Sequence, residues 1–139
     1  KSAGIEFNLN ETFMSVSSKN VIRGLHFQLH KPQAKLVSVP KGRVYDVIVD
    51  LRHSSPTFKQ WRGYELSAEN HRALYVPRGF ANTIMMYQCD GAYDSKTDTG
   101  IIFNDLDIGV IWPVADSIAI HSARDLKLMK VKDFRGFIF

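Results

Sequence analysis

Residues 40–51 read PKGRVYDVIVDL, and the fold class turns on them. Pro40 and Gly42 mark a tight corner, because proline presets φ and glycine permits a positive φ. Beyond the corner two residue sets alternate. Val44, Asp46, Ile48 and Asp50 fall on one side, and Tyr45, Val47, Val49 and Leu51 on the other. Alternation with period two is the mark of a β-strand, and here one of the two faces is wholly apolar.

Outward from this strand the pattern repeats. Strand-like segments are read at 5–9, 13–17, 21–29, 35–39, 43–50, 60–66, 73–76 and 83–88, with shorter ones at 109–111 and 118–120. Turn signals such as Ser55-Pro56-Thr57 and Ser67-Ala68-Glu69-Asn70 separate them. Short strands at regular spacing predict a β-sandwich or barrel. A second corner, Pro77-Arg78-Gly79-Phe80-Ala81, echoes Pro40-Lys41-Gly42-Arg43-Val44. Together they point to an all-β, cupin-type jelly roll. The helical signal is confined to residues 123–132, a short C-terminal segment with Ser122 as its N-cap.

Bulk properties narrow the class. At 139 residues, 45% hydrophobic and 23% charged, the chain is expected to be one globular domain, 1–139. No apolar run approaches the ~18 residues of a membrane span, and no signal-peptide pattern is visible. Cys89 is the single cysteine, so an internal disulfide is ruled out and a reducing, cytoplasmic setting is expected. The net charge of +4 suits an anionic small ligand. The cations are scattered rather than clustered, which argues against nucleic acid.

The richest chemistry lies in VIRGLHFQLHK, residues 21–31. Read as a strand, it places Arg23, Leu25 and Phe27 on one face and Ile22, Gly24, His26 and Gln28 on the other. Polar groups in an otherwise apolar strand are costly unless they serve a ligand.

Taken in order, RGLHFQ (23–28), QAKLV (33–37), GRVYDVIVDLR (42–52), SPTF (55–58), LSAEN (66–70), PRGFA (77–81), YQC (87–89) and NDLDIGVIWP (104–113) resemble the dTDP-4-dehydrorhamnose 3,5-epimerase family. The resemblance implies a cupin jelly roll, a homodimer, and an epimerase that uses neither metal nor organic cofactor. Its substrate would be a nucleotide-diphosphate-linked 4-keto-6-deoxy sugar, inverted at C3, C5 or both. Protons on C3 and C5 flank the carbonyl. Their exchange needs a base on one face, an acid on the other, and positive charge near the ketone oxygen.

By resemblance His26 is the base and Asp125 its orienting carboxylate. Lys35 stabilises the enolate and Tyr87 is the general acid. Arg23, Gln28, Tyr93 and Arg124 are the substrate-binding candidates. Trp112 reads as core.

Three departures from the family pattern stand out. PRGFA is followed at once by Asn82-Thr83-Ile84, where the family continues with His-Gly-Phe and a loop, so a loop after Ala81 is expected to be missing from the chain as written. N-terminal strands are expected before Lys1. Glu11-Thr12-Phe13-Met14-Ser15 stands where a Gln-Asp-Asn-x-Ser strand is usual.

Other readings remain open. One is an epimerase that inverts only C3 or only C5, and another is a non-catalytic sugar-nucleotide-binding cupin. A metal cupin needs His-x-His followed by Glu, and His26-Phe27-Gln28 lacks the second histidine.

Overall fold

The computed structural model describes residues 4–82 and 86–138. Among the described residues, nine strands form two antiparallel sheets. In chain order they are β1 (Glu11–Met14), β2 (His26–Gln28), β3 (Lys35–Ser38), β4 (Arg43–Asp50), β5 (Trp61–Ser67), β6 (Leu74–Val76), β7 (Phe80–Asn82), β8 (Met86–Cys89) and β9 (Asp98–Gly100). One sheet runs β1-β8-β3-β6 and the other β5-β4-β7-β2-β9. This is the all-β, jelly-roll architecture expected from the corners and the alternation.

The expected strand at β4 forms as read, and both of its faces are buried. Val47, Val49 and Leu51 join Leu25, Phe27, Ala81, Ile101, Val131 and Phe137 in one apolar cluster. That cluster lies between the five-stranded sheet and the C-terminal segment. Ile48, on the opposite face, packs with Val37, Val39, Leu66 and Val76 between the two sheets. The C-terminal segment therefore covers one face of the larger sheet, and parallel bridges Ile101–Met129 and Arg52–Phe137 pin it there.

Asp50 closes the end of β4. Its carboxylate accepts hydrogen bonds from Arg52 Nε at 2.9 Å, Ser55 Oγ at 2.6 Å and Thr57 Oγ1 at 2.7 Å. Burial pushes this carboxyl up, but the donors together hold it well below the usual range.

Several elements differ from the sequence reading. The expected strand 21–29 shortens to His26–Gln28. Gly24 adopts φ +110°, and a Cβ there would stand 2.8 Å from the Asn82 carbonyl oxygen, so the chain is irregular up to His26. Residues 5–9 form no strand. Only Asn10 extends the ladder, donating to the Cys89 carbonyl at 2.8 Å. Neither 109–111 nor 118–120 becomes a strand, although Ile120 bridges Val21. Of the expected strand 83–88, Met86–Cys89 forms β8, and residues 83–85 lie outside the described residues. Asn82, which follows Ala81 where a missing loop is expected, belongs to β7.

The helix expected over 123–132 is replaced by two 3₁₀ turns, Asp125–Lys127 and Val131–Asp133, with extended chain between them. Met129 is drawn into the bridge with Ile101, and tertiary pairing overrides the weak helical signal. Arg124, not Ser122, is the N-cap of the first turn, and Ser122 Oγ accepts from the Asp125 N–H at 3.0 Å. Among the described residues no helix is long and apolar enough to cross a membrane.

Candidate active site

Antiparallel register decides which side chains share the space between the sheets, because directly opposed residues point to the same face. Ile48, Asn82 and His26 form one row across β4, β7 and β2. Ile48 faces the inter-sheet core, so His26 and Asn82 face it too. From the smaller sheet, Phe13, Tyr87 and Val37 form a row across β1, β8 and β3. Glu11, Cys89 and Lys35 form the next. Val37 belongs to the inter-sheet core, so Tyr87 and Lys35 look across at His26 and Asn82.

The His26 imidazole is held by one short bond. Its Nε2–H donates to Asp125 Oδ1 at 2.7 Å. Asp125 is buried on the first 3₁₀ turn and is fixed from behind by Ser122 Oγ. Its other oxygen accepts a long contact, 3.4 Å, from the Gly24 N–H. With Nε2 bearing the proton, Nδ1 carries the lone pair, which makes it the basic nitrogen.

Lys35 is only 5% exposed. Its Nζ donates to Asn82 Oδ1 at 2.8 Å and lies 5.4 Å from the centre of the Tyr87 ring. Burial lowers the ammonium pKa from its ordinary value, and the charges of Cys89, Asp46 and Asp98 oppose that shift. Tyr87 is pushed up to about 12, first by burial and then by the surrounding negative charge. Its hydroxyl keeps its proton throughout the neutral range.

His26, Lys35 and Tyr87 of the expected catalytic set thus face one inter-sheet layer, and Asp125 reaches His26 from the C-terminal segment. The expected binding set divides. Tyr93 and Arg124 meet on Asp98, whose Oδ2 accepts from the Tyr93 hydroxyl at 3.1 Å and from Arg124 Nη2 at 2.7 Å. Gln28 is buried and bonds to Thr97 Oγ1 at 2.8 Å. With its amide turned to satisfy every neighbour, it also clasps the Asp94 backbone. These three side chains secure the 94–98 loop beside Asp125. Arg23 stands apart, donating from Nε to Ser17 Oγ at 2.9 Å.

Arg23 lines a cavity of about 470 Å³ whose wall also holds Lys41, Arg43 and Trp112. The size suits a small ligand. His26, Lys35 and Tyr87 are not among its lining residues; the cavity meets their layer at Val37 and Asp46. Trp112 reads partly as expected, because it packs against the core and donates from Nε1 to the Phe103 carbonyl at 2.9 Å. Among the described residues, no three His, Cys, Asp or Glu side chains gather where they could hold a metal ion.

Two residues of this layer escaped the sequence reading. Asn82 was read only for what it replaces, yet it is fully buried and holds the lysine. Asp98 lies in a polar stretch without apolar alternation and enters the sheet only through β2. Both depend on long-range pairing, for which neighbouring residues carry no signal.

An all-β jelly roll that brings together an imidazole–carboxylate pair, a buried ammonium and a protonated phenol holds the kinds of group that proton-transfer enzymes use. Residues 1–133 match the profile of the family described as dTDP-4-dehydrorhamnose 3,5-epimerase. The protein of that name from Methanothermobacter thermautotrophicus is 43% identical over 138 residues, covering 91% of this chain and 75% of the relative. The dTDP-4-dehydrorhamnose 3,5-epimerase of Bacillus anthracis, solved with TDP and PPi bound, superposes with a TM-score of 0.86 at 44% identity, covering 93% of this chain and 78% of that one. A dTDP-6-deoxy-D-glucose-3,5-epimerase from Legionella pneumophila, solved with dTDP-4-keto-L-rhamnose, gives 0.88 at 35% identity, covering 94% and 73%. The chain belongs to the dTDP-4-dehydrorhamnose 3,5-epimerase family.

Proposed function

We propose that this chain inverts C3, C5 or both in a nucleoside-diphosphate-linked 4-keto-6-deoxy sugar, using its own side chains as acid and base. The observation that carries the reading is the 2.7 Å His26–Asp125 bond, made by a histidine that faces the same layer as Lys35 and Tyr87. Nδ1 of His26 takes the proton next to the carbonyl. The C–H electron pair moves onto the C4 oxygen, giving an enolate, and Asp125 stabilises the imidazolium that forms. The Lys35 ammonium stabilises the oxyanion. Tyr87 O–H then protonates the carbon from the opposite face. Solvent returns a proton to the phenolate and accepts one from the imidazolium, so the sum is an isomerisation.

The mouth of the 470 Å³ cavity, with Arg23, Lys41 and Arg43, supplies the positive charge a diphosphate needs. The bound ligands of the Bacillus and Legionella proteins favour a dTDP-linked sugar. Tyr93, Arg124 and Gln28 would border the substrate through the 94–98 loop. A cytoplasmic setting fits a chain whose single cysteine, Cys89, is buried. A homodimer would cover the open edge strands β1 and β6, and sedimentation tests it.

Deuterium wash-in tests the reaction. The protein is incubated in D₂O with dTDP-4-keto-6-deoxyglucose, and C3 and C5 are followed by NMR. Exchange at both carbons that is lost in His26→Ala is the expected result. Exchange at one carbon identifies the narrower epimerase. No exchange with dTDP-, GDP- or CDP-linked substrates refutes the catalytic reading.

A further inference from the structure

Tyr87 is held in place by a residue outside the acid–base set. Phe13 on β1 lies directly across from Tyr87 on β8. Their rings stack with centroids 5.2 Å apart at an interplanar angle of 24°. Tyr93 braces Phe13 in turn, edge-on at 5.9 Å and 66°. Tyr93 is itself anchored twice: its backbone N–H donates to Glu11 Oε2 at 2.8 Å, and its hydroxyl donates to Asp98 Oδ2 at 3.1 Å. Across β3, Val37 stands opposite Tyr87, and the Lys35 ammonium lies 5.4 Å from its ring centre. A ring enclosed in this way has little freedom to rotate at χ1, so its hydroxyl occupies one place.

That place matters because C3 and C5 lie on either side of the C4 carbonyl. One phenol can serve both carbons only if its oxygen reaches each. A misplacement of about 1 Å can cost about a hundredfold in rate. The position of the Tyr87 oxygen therefore determines which carbanion is quenched on the inverting face. Phe13 has no proton to give, so its influence acts through the ring it stacks on.

We infer that Phe13 is a positioning residue that fixes the Tyr87 hydroxyl and thereby sets the ratio of inversion at C3 to inversion at C5. The inference rests on the reading of Tyr87 as the acid.

The test is deuterium wash-in at each carbon for the intact chain, Phe13→Ala and Phe13→Tyr. Phe13→Ala is expected to shift the C3-to-C5 ratio by about tenfold, equivalent to about 1.4 kcal/mol between two transition states. Exchange at the faster carbon should stay within a few-fold. Phe13→Tyr keeps the stacked ring and is expected to keep the parent ratio. If the parent exchanges one carbon only, Phe13→Ala should admit deuterium at the other. An unchanged pattern in a folded Phe13→Ala protein overturns the inference and leaves the epimerase reading intact. Absence of exchange in the parent overturns both. Should Phe13→Ala fail to fold, Phe13→Leu carries the same test, since it keeps apolar volume without a ring plane.

Discussion

Replacing Lys35 by Met should move activity and stability in opposite directions. The side chain is 5% exposed, and its hydrogen-bond partner at Nζ, Asn82 Oδ1 at 2.8 Å, is a neutral amide. Methionine nearly conserves the volume and strands no directly bonded charge. An ammonium about 4 Å from an enolate oxygen, at an effective dielectric constant of about 20, contributes about 4 kcal/mol. Its loss should lower kcat about a thousandfold. Burial also makes the ammonium costly to the fold. Desolvation of a buried ion costs several kcal/mol, and the lowered pKa shows that this cost outweighs the attraction of Cys89, Asp46 and Asp98. Set against the lost Asn82 bond, a gain of about 1–2 kcal/mol remains, which raises Tm by a few degrees. NMR wash-in rates and thermal melts of the two proteins measure both quantities. A variant that keeps activity within tenfold refutes the electrostatic role. A variant that loses activity together with several degrees of Tm shows that the lysine supports the fold instead.

Three further outcomes are expected. Asp125→Asn keeps the shape but removes the charge from a 2.7 Å bond. A loss of about 2–3 kcal/mol should slow wash-in about 30- to 150-fold with little change in Tm. Gly24→Ala puts a Cβ 2.8 Å from the Asn82 carbonyl oxygen at φ +110°, and urea titration should show a destabilisation of at least about 2 kcal/mol. Burial raises the Cys89 thiol from 9 to about 11. The folded chain then holds the proton that the unfolded chain releases, so this contribution is intact below pH 9 and fades as the pH climbs to about 11. Stability in Cys89→Ala should therefore decline less across that window, and equal slopes for the two proteins would rule the thiol out.

Local sequence carried the strands whose neighbours agree with them. At β4 the period-two pattern is unbroken, and the strand forms over Arg43–Asp50 as read. What local sequence could not carry was the second core, because Asp46 and Asp50 on the other face look solvated until a second sheet is placed over them. Leu25 and Phe27 do share a face, and His26 and Gln28 the other. The strand itself begins only at His26, because backbone conformation at Gly24 is set by the close approach of β7. Lys35 illustrates the same limit. A lysine is ordinarily exposed, and only the resemblance pointed to the site it occupies. Its partner Asn82, 47 residues away, becomes visible only when the sheets face each other. Asp125 was expected in the first turn of a helix. It reaches His26 from a 3₁₀ turn, because Met129 pairs with Ile101 and draws the chain out straight.

The two-sided burial of β4 also bears on how such a chain can change. Even-numbered positions such as Asp46 and Ile48 open on the chemistry, whereas Val47 and Val49 pack into the cluster beneath the C-terminal segment. Selection for a new sugar can therefore act on one parity of residue number while the other parity keeps the scaffold standing. Two kinds of evolutionary freedom lie interleaved along a single strand.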